Sequence, residues 1–281
     1  MNFLHILVLA VVQGVAELLP VSSSAHVIMA EKLLGLDPTS PQMTFLLVML
    51  HTGTMFAVIA YFWKSWHARF FSSKAAFVET VKFVVVATVA TGVVGLALKF
   101  LIEKVVLRGS EHAEVEHLFG NAYVIAGGLA AAGLLILVSG LSKAAPTGLL
   151  TVGRSLWIGV VQGLCLPFRG FSRSGATIST GMMLGVERIR AEEFSFALAV
   201  VLTPAVIVLE GHRLLKDQAQ APGGLHDLAA LAGPALVGML LSFAAGWLAL
   251  RWLSKWLEQG RWYLFGPYCL AASAFVLAFG R

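Results

Sequence analysis

Apolar residues in this chain fall into long blocks, most of them separated by polar, charged loops. Six blocks are long enough, at about 20 residues, to cross the hydrocarbon core of a bilayer as helices. They are Thr44–Trp63, Phe77–Ile102, Asn121–Leu141, Phe194–Gly211, Leu228–Leu253 and Tyr263–Gly280. Two further apolar segments are broken. Phe3–Leu19 meets Pro20 and then Ser22-Ser23-Ser24, and resumes as Ala25–Leu36. Ser155–Leu166 meets Pro167 and the turn Arg169-Gly170-Phe171-Ser172-Arg173-Ser174-Gly175, and resumes as Ala176–Val186. As a helix, Ser155–Leu166 rises only about 18 Å, short of the roughly 30 Å core. The pattern predicts a helix hairpin that dips into the membrane and returns. Lipid offers no hydrogen bonds, so non-helical backbone at that depth must be buried in protein or line a wet cavity. Such breaks point to functional sites.

The two broken segments also resemble each other. Val11-Val12-Gln13-Gly14 recurs as Val160-Val161-Gln162-Gly163, and each copy runs on to Leu-Pro and a serine-containing turn. In each half one broken segment precedes three spans. An odd number of crossings per half inverts the second copy, which predicts an inverted-topology repeat with a site where the copies meet. The expected fold is therefore an all-α polytopic membrane protein with six transmembrane helices and two re-entrant hairpins. It is a single integral membrane domain, residues 1–281, with halves of about 1–141 and 150–281. No Lys or Arg precedes the first apolar run and no clean cleavage site follows it, so it reads as retained structure rather than a signal peptide.

Composition agrees. The chain of 281 residues is 58% apolar and 12% charged, with a mean hydropathy of +0.83. A soluble domain carries about 25% charged residues, so disorder and a soluble enzyme are both poor fits. The net charge of +5 forms no Lys/Arg stripe, which argues against nucleic-acid binding. Cys165 and Cys269 form no CxxC pair and read as small buried residues.

The two turns hold the candidate chemistry. Gln13 and Glu17 are four apart and share a helix face. Glu17 lies within an apolar run, and an ionisable residue at membrane depth is a functional-site hypothesis by default. Ser22, Ser23 and Ser24 open the next helix, whose N–H groups and dipole attract anions; the same serines could serve only as caps. His26 sits in the first turn of that helix. In the second turn, Ser172 and Ser174 flank Arg173, whose planar fork suits bidentate phosphate contact. Gly175 and Thr177 follow at the expected helix start. Arg173 needs an anionic partner, either Glu17 or a bound phosphate.

At these turns the sequence resembles the undecaprenyl-diphosphate phosphatase, or bacitracin-resistance, family of bacterial inner membranes. The first family motif is matched by Gln13, Gly14, Glu17, Leu19, Pro20, Val21, Ser22, Ser23 and His26. The second is matched by Gly170, Ser172, Arg173, Ser174, Gly175 and Thr177. Gly185-Val186 and Glu193-Phe194-Ser195-Phe196 also resemble the family. The resemblance implies hydrolysis of a C55 isoprenyl diphosphate to the lipid monophosphate used in cell-wall synthesis, with a divalent cation and a site open to the periplasm. Glu17, with Gln13, would hold Mg²⁺ or Ca²⁺, which prefer oxygen ligands. Arg173 and both helix N-termini, with Ser22, Ser24, Ser172, Ser174, Gly175 and Thr177, would hold phosphate oxygens. His26 would act as acid or base, and the nucleophile would be water or Ser23. Two positions depart from the family: Gln13 stands where Glu is often found, and Arg169 replaces a proline. The expected partners are the polyprenyl diphosphate lipid and the bilayer, with a homodimer left open. The runner-up reading is a flippase or transporter of a polyprenyl phosphate lipid, and a third is a structural subunit with no site.

Other polar residues carry less. His51 is expected to face the bundle interior from the first full span, and Trp63, Trp66, Trp252, Trp256 and Trp262 are expected to anchor at the membrane interface. Lys64, Arg69, Lys74, Lys143, Arg154, Arg251, Lys255 and Arg261 fall on loops that the span count puts on one side. The positive-inside rule makes that side cytoplasmic. The opposite loops, Lys99–His117 and Arg213–Asp227, mix bases with acids.

Overall fold

The computed structural model describes residues 2–37, 40–106, 118, 120–141, 147–218 and 224–280. Ten α-helices occur among them: α1 (Phe3–Leu18), α2 (Ser23–Leu33), α3 (Pro41–Phe70), α4 (Lys74–Leu101), α5 (Ala122–Gly140), α6 (Val152–Cys165), α7 (Arg173–Met183), α8 (Arg188–Gln218), α9 (Gly224–Glu258) and α10 (Phe265–Phe279). Helices α3, α4, α5, α8, α9 and α10, the last with its lead-in turn from Trp262, are long and apolar enough to cross a membrane. The chain is an all-α polytopic membrane protein. Each of the six apolar blocks of the sequence coincides with one of these helices, three blocks running past their helix by a residue and several helices extending well beyond their block. Apolar character marks the lipid-facing length, whereas a helix runs on until a cap stops it. Ser40 caps α3 by accepting from the Met43 N–H at 3.3 Å, and Ser73 caps α4 from the Ala76 N–H at 3.1 Å.

The broken segments form helix pairs. The pair α6–α7 begins and ends at one place: the Gly148 N–H donates to the Gly185 carbonyl, and the Glu187 N–H to the Gly148 carbonyl, each at 2.9 Å. In the pair α1–α2, Ile6 and Val27 enter one apolar cluster with Leu46 and Leu50 of α3. Lys32 Nζ, near the end of α2, donates to the Gly280 carbonyl just past α10 at 2.6 Å.

The repeated Gln-Gly dipeptides have a packing cause. A Cβ on Gly14 would lie 2.7 Å from the Ser242 carbonyl of α9, and one on Gly163 would lie 2.9 Å from the Thr91 carbonyl of α4. In both cases only glycine lets the short helix lie this close to a long one.

Several helix ends that carry the basic residues come together. Arg69 of α3 pairs with Glu193 of α8 at 2.9 Å, Ser254 of α9 donates to Glu192 at 2.6 Å, and Gly260 lies against the Arg188 guanidinium. Lys143, and residues 107–117 and 219–223 of the opposite loops, lie outside the described residues. The tryptophans divide. Trp63 and Trp252 are exposed as expected of anchors, but Trp262 is 1% exposed and Trp66 7%. Trp262 is a core residue because its indole N–H finds Ser139 and Ser179, each at 3.1 Å. Trp66, also buried, finds no such partner for its indole N–H among the described residues.

Candidate active site

The turns after α1 and α6 meet in three dimensions. Ser174 Oγ of the second donates to the Leu19 carbonyl of the first at 3.2 Å, and Cys269 Sγ of α10 reaches the Pro20 carbonyl at 3.3 Å. Glu17 is at the centre. Its Oε1 accepts from Arg173 Nη2 at 3.2 Å. Its Oε2 accepts from Ser23 Oγ at 2.5 Å and from Gln13 Nε2 at 3.2 Å. His51 Nε2 of α3 lies 3.8 Å from the same oxygen. With a guanidinium donor on one oxygen and a hydroxyl donor on the other, Glu17 is placed to act as a carboxylate base.

Arg173 has more than one donor to use. Its Nη2 meets Glu17, but its Nη1 is buried with no hydrogen-bond partner. A buried guanidinium N–H without an acceptor is costly, so the geometry leaves a place for an anion beside Glu17.

The two short-helix N-termini differ, which the sequence does not reveal. At α7, Ser172 Oγ accepts from the Gly175 N–H at 3.2 Å, so the cap is made internally. At α2 the cap residue Ser22 makes no side-chain capping bond. Ser22 also has φ of 68°, the only positive φ outside glycine among the described residues. Such a conformation costs on the order of 1–3 kcal/mol and persists where the surroundings enforce it. Here it turns the Ser22 carbonyl onto His26, whose Nδ1 lies 2.8 Å from it. Ser22 Oγ lies 3.2 Å from Ser24 Oγ. The α2 end thus lacks the side-chain cap that the α7 end has.

The polar residues of the second turn are bonded within the protein. The hydroxyl of Thr177 donates to the Arg173 carbonyl at 2.8 Å and lies 2.6 Å from Ser195 Oγ. Ser172, Ser174 and Thr177 are buried, and the two serine hydroxyls lie 3.4 Å apart. The helix opens at Arg173 rather than at Gly175 because Ser172 supplies the cap. Arg169, in the place of the family's proline, has the charge of Glu31 of α2 acting on it, opposing a downward shift caused by burial. Glu31 is 2% exposed, and burial pushes its carboxyl up to about 7 against the pull of Arg169.

Two residues at the site escape motif reasoning. His51 faces the interior as expected, but directly against Glu17. Its Nδ1 lies 2.8 Å from the Leu47 carbonyl one turn earlier, which leaves Nε2 toward the site. Tyr268 of α10 places its hydroxyl 2.7 Å from His26 Nε2. A lone histidine within a span is a usable signal; a tyrosine in an apolar run gives none. For a divalent cation the protein offers one carboxylate, Glu17, and the amide of Gln13. Among the described residues no group of three or more His, Cys, Asp or Glu is gathered for a metal. That set suits a hard cation that arrives with substrate phosphate oxygens rather than one held in an all-protein cage.

Comparison with known proteins agrees with the geometry. Undecaprenyl-diphosphatase 2 of Acinetobacter baylyi is 59% identical over 278 residues, covering 99% of this chain and 98% of that protein. The undecaprenyl-diphosphatase of Desulfosudis oleivorans is 33% identical over 301 residues, covering 97% of each chain. Undecaprenyl-diphosphatase 1 of Burkholderia pseudomallei is also 33% identical, over 292 residues, covering 99% of this chain and 96% of that one. The profile of the family described as bacitracin resistance protein BacA matches residues 6–275. With the family profile matching residues 6–275 and these relatives matching over nearly the whole length, the chain belongs to the bacitracin resistance protein BacA family.

Proposed function

We propose that this protein hydrolyses undecaprenyl diphosphate to undecaprenyl phosphate and inorganic phosphate, recycling the lipid carrier of cell-wall synthesis and so conferring bacitracin resistance. The observation that carries the site assignment is the cluster at Glu17, where Arg173 and Ser23 from different turns bond to one carboxylate. The terminal phosphate would lie at the α2 N-terminus, with the spare Nη1 of Arg173 on its oxygens. Glu17 takes the proton of the nucleophile, whether that is Ser23 or a water in its place. Attack at the terminal phosphorus breaks the bridging P–O bond, and the lipid monophosphate leaves with that oxygen; where Ser23 attacks, a water then cleaves the serine O–P bond, returning a proton to Ser23 and releasing inorganic phosphate. His26, which burial holds below its ordinary pKa despite the Ser22 carbonyl, is neutral and able to accept a proton. Glu17 and Gln13 would hold a Mg²⁺ or Ca²⁺ ion, which would neutralise diphosphate charge when bound. Purified protein in detergent is expected to release phosphate from a C55 polyprenyl diphosphate, to lose that activity in a chelator, and to regain it with Mg²⁺ or Ca²⁺. No release under any of these conditions would sink the reading.

We also propose that both helix pairs are re-entrant, that the halves form an inverted repeat, and that the protein lies in the bacterial inner membrane with its site open to the periplasm. The gathered basic helix ends support a cytoplasmic face there. Both native cysteines are buried, so introduced ones report cleanly. A cysteine at Gln42, at the start of α3, is expected to react with an impermeant thiol reagent in spheroplasts. One at Lys74 is expected to react only after lysis. The opposite pattern would invert the topology.

A further inference from the structure

The reactive nitrogen of His26 does not face Glu17 or Ser23. Its Nδ1 lies 2.8 Å from the Ser22 carbonyl, and a carbonyl only accepts, so Nδ1 carries the ring proton. In the neutral ring, Nε2 is then a bare lone pair, and the group 2.7 Å from it is the Tyr268 hydroxyl. That hydroxyl therefore donates to Nε2. The rings are near-parallel, 10° apart with centroids 5.7 Å apart. Tyr268 is 49% exposed, whereas His26 is only partly so. The phenol oxygen is therefore the outward end of a chain that runs from Ser22 through His26.

We infer that Tyr268 is a positioning and proton-relay residue for this hydrolysis, holding His26 Nε2 and linking it to the exposed side of the protein. The inference rests on the phosphatase reading above. In the relay, a water or protonated phosphate oxygen gives a proton to the phenol oxygen as the phenol gives its own to His26 Nε2. The donor loses one proton, His26 gains one, and Tyr268 ends as it began. No redox partner is needed. Burial and the Ser22 carbonyl are the two influences on His26, and the charged pair of the site, Glu17 and Arg173, is engaged with itself. Tyr268 brings α10 into the chemistry, although it lies in an apolar run outside both motifs.

The test is a double-mutant cycle on phosphate release from a C55 polyprenyl diphosphate, with Tyr268→Phe, His26→Gln and the pair. Phenylalanine keeps the ring and its packing, and thermal unfolding in detergent checks that each variant is folded. Tyr268→Phe is expected to lower kcat about tenfold or more with KM within twofold. Adding it to His26→Gln should change the rate less than twofold, because the two groups act as one unit. In wild type the solvent deuterium effect on kcat should exceed that of Tyr268→Phe. A Tyr268→Phe enzyme within twofold of wild type, or losses that multiply across the cycle, would overturn the inference while leaving the phosphatase reading standing. Wild-type protein that releases no phosphate would instead remove that reading.

Discussion

Glu17→Gln is expected to cut turnover by roughly 10²–10⁴-fold, the usual worth of a positioned general base, while leaving the helix bundle folded. Glutamine has the same shape, and its amide oxygen can still accept from Arg173. It cannot take a proton from Ser23, which donates to Glu17 at 2.5 Å, and it bears no charge for a cation. A carboxylate kept only as the counter-ion of Arg173 would behave differently. Removing it would alter stability, since a partly buried guanidinium would be left unpaired, and would spare the rate. Phosphate release within threefold of wild type, in protein with an unchanged unfolding temperature, would reject the assignment.

The second large effect separates two arginines four residues apart. Arg173→Lys is expected to lower turnover by a factor of about a hundred or more, since lysine keeps the charge but cannot hold Glu17 with one nitrogen and a phosphate with another. The loss corresponds to about 3 kcal/mol of transition-state hydrogen bonding. Arg169→Lys should stay within about fivefold. The charge of Glu31 acts on Arg169, and the buried Glu31 needs only a nearby cation. Arg169→Ala should mainly raise KM by weakening attraction of the anionic head group. Steady-state kinetics on these three variants decide the matter, and the reverse ranking would put the phosphate on the wrong part of the turn.

Much of this was legible in the sequence, because lipid imposes strict local rules. Continuous apolar blocks gave the spans, and the breaks at Pro20 and Pro167 marked the two turns. The Glu17–Arg173 contact was one of two partners expected for Arg173, since each charge at membrane depth needs an opposite one. What stayed hidden depended on rotation and register. That Thr177 pairs with Ser195 and Ser174 with the Leu19 carbonyl depends on helix rotation that the sequence does not show. Ser23 next to His26 reads as a nucleophile and its base, but the positive φ of Ser22 turns the imidazole away and Glu17 receives the hydroxyl. His51 and Tyr268 are single residues without a local pattern, and only packing between distant helices brings them in. Trp262 was misplaced for the same reason: an indole at a span end suits the interface as well as the core until its hydrogen-bond partners are known.

The pinning of α10 has a consequence for biosynthesis. Tyr268 meets His26 across 242 residues of chain, Arg173 meets Glu17 across 156, and Lys32 grips the Gly280 carbonyl across 248. Contacts this remote form late, because the intervening chain must be made and inserted before its ends can close. An emerging polypeptide that already displays Glu17, Ser23 and His26 therefore lacks both the arginine that orders the carboxylate and the tyrosine that steadies the imidazole. These contacts are complete only once the tenth helix is in place, so a nascent chain stalled in the translocon carries an incompletely assembled cluster around Glu17 and His26.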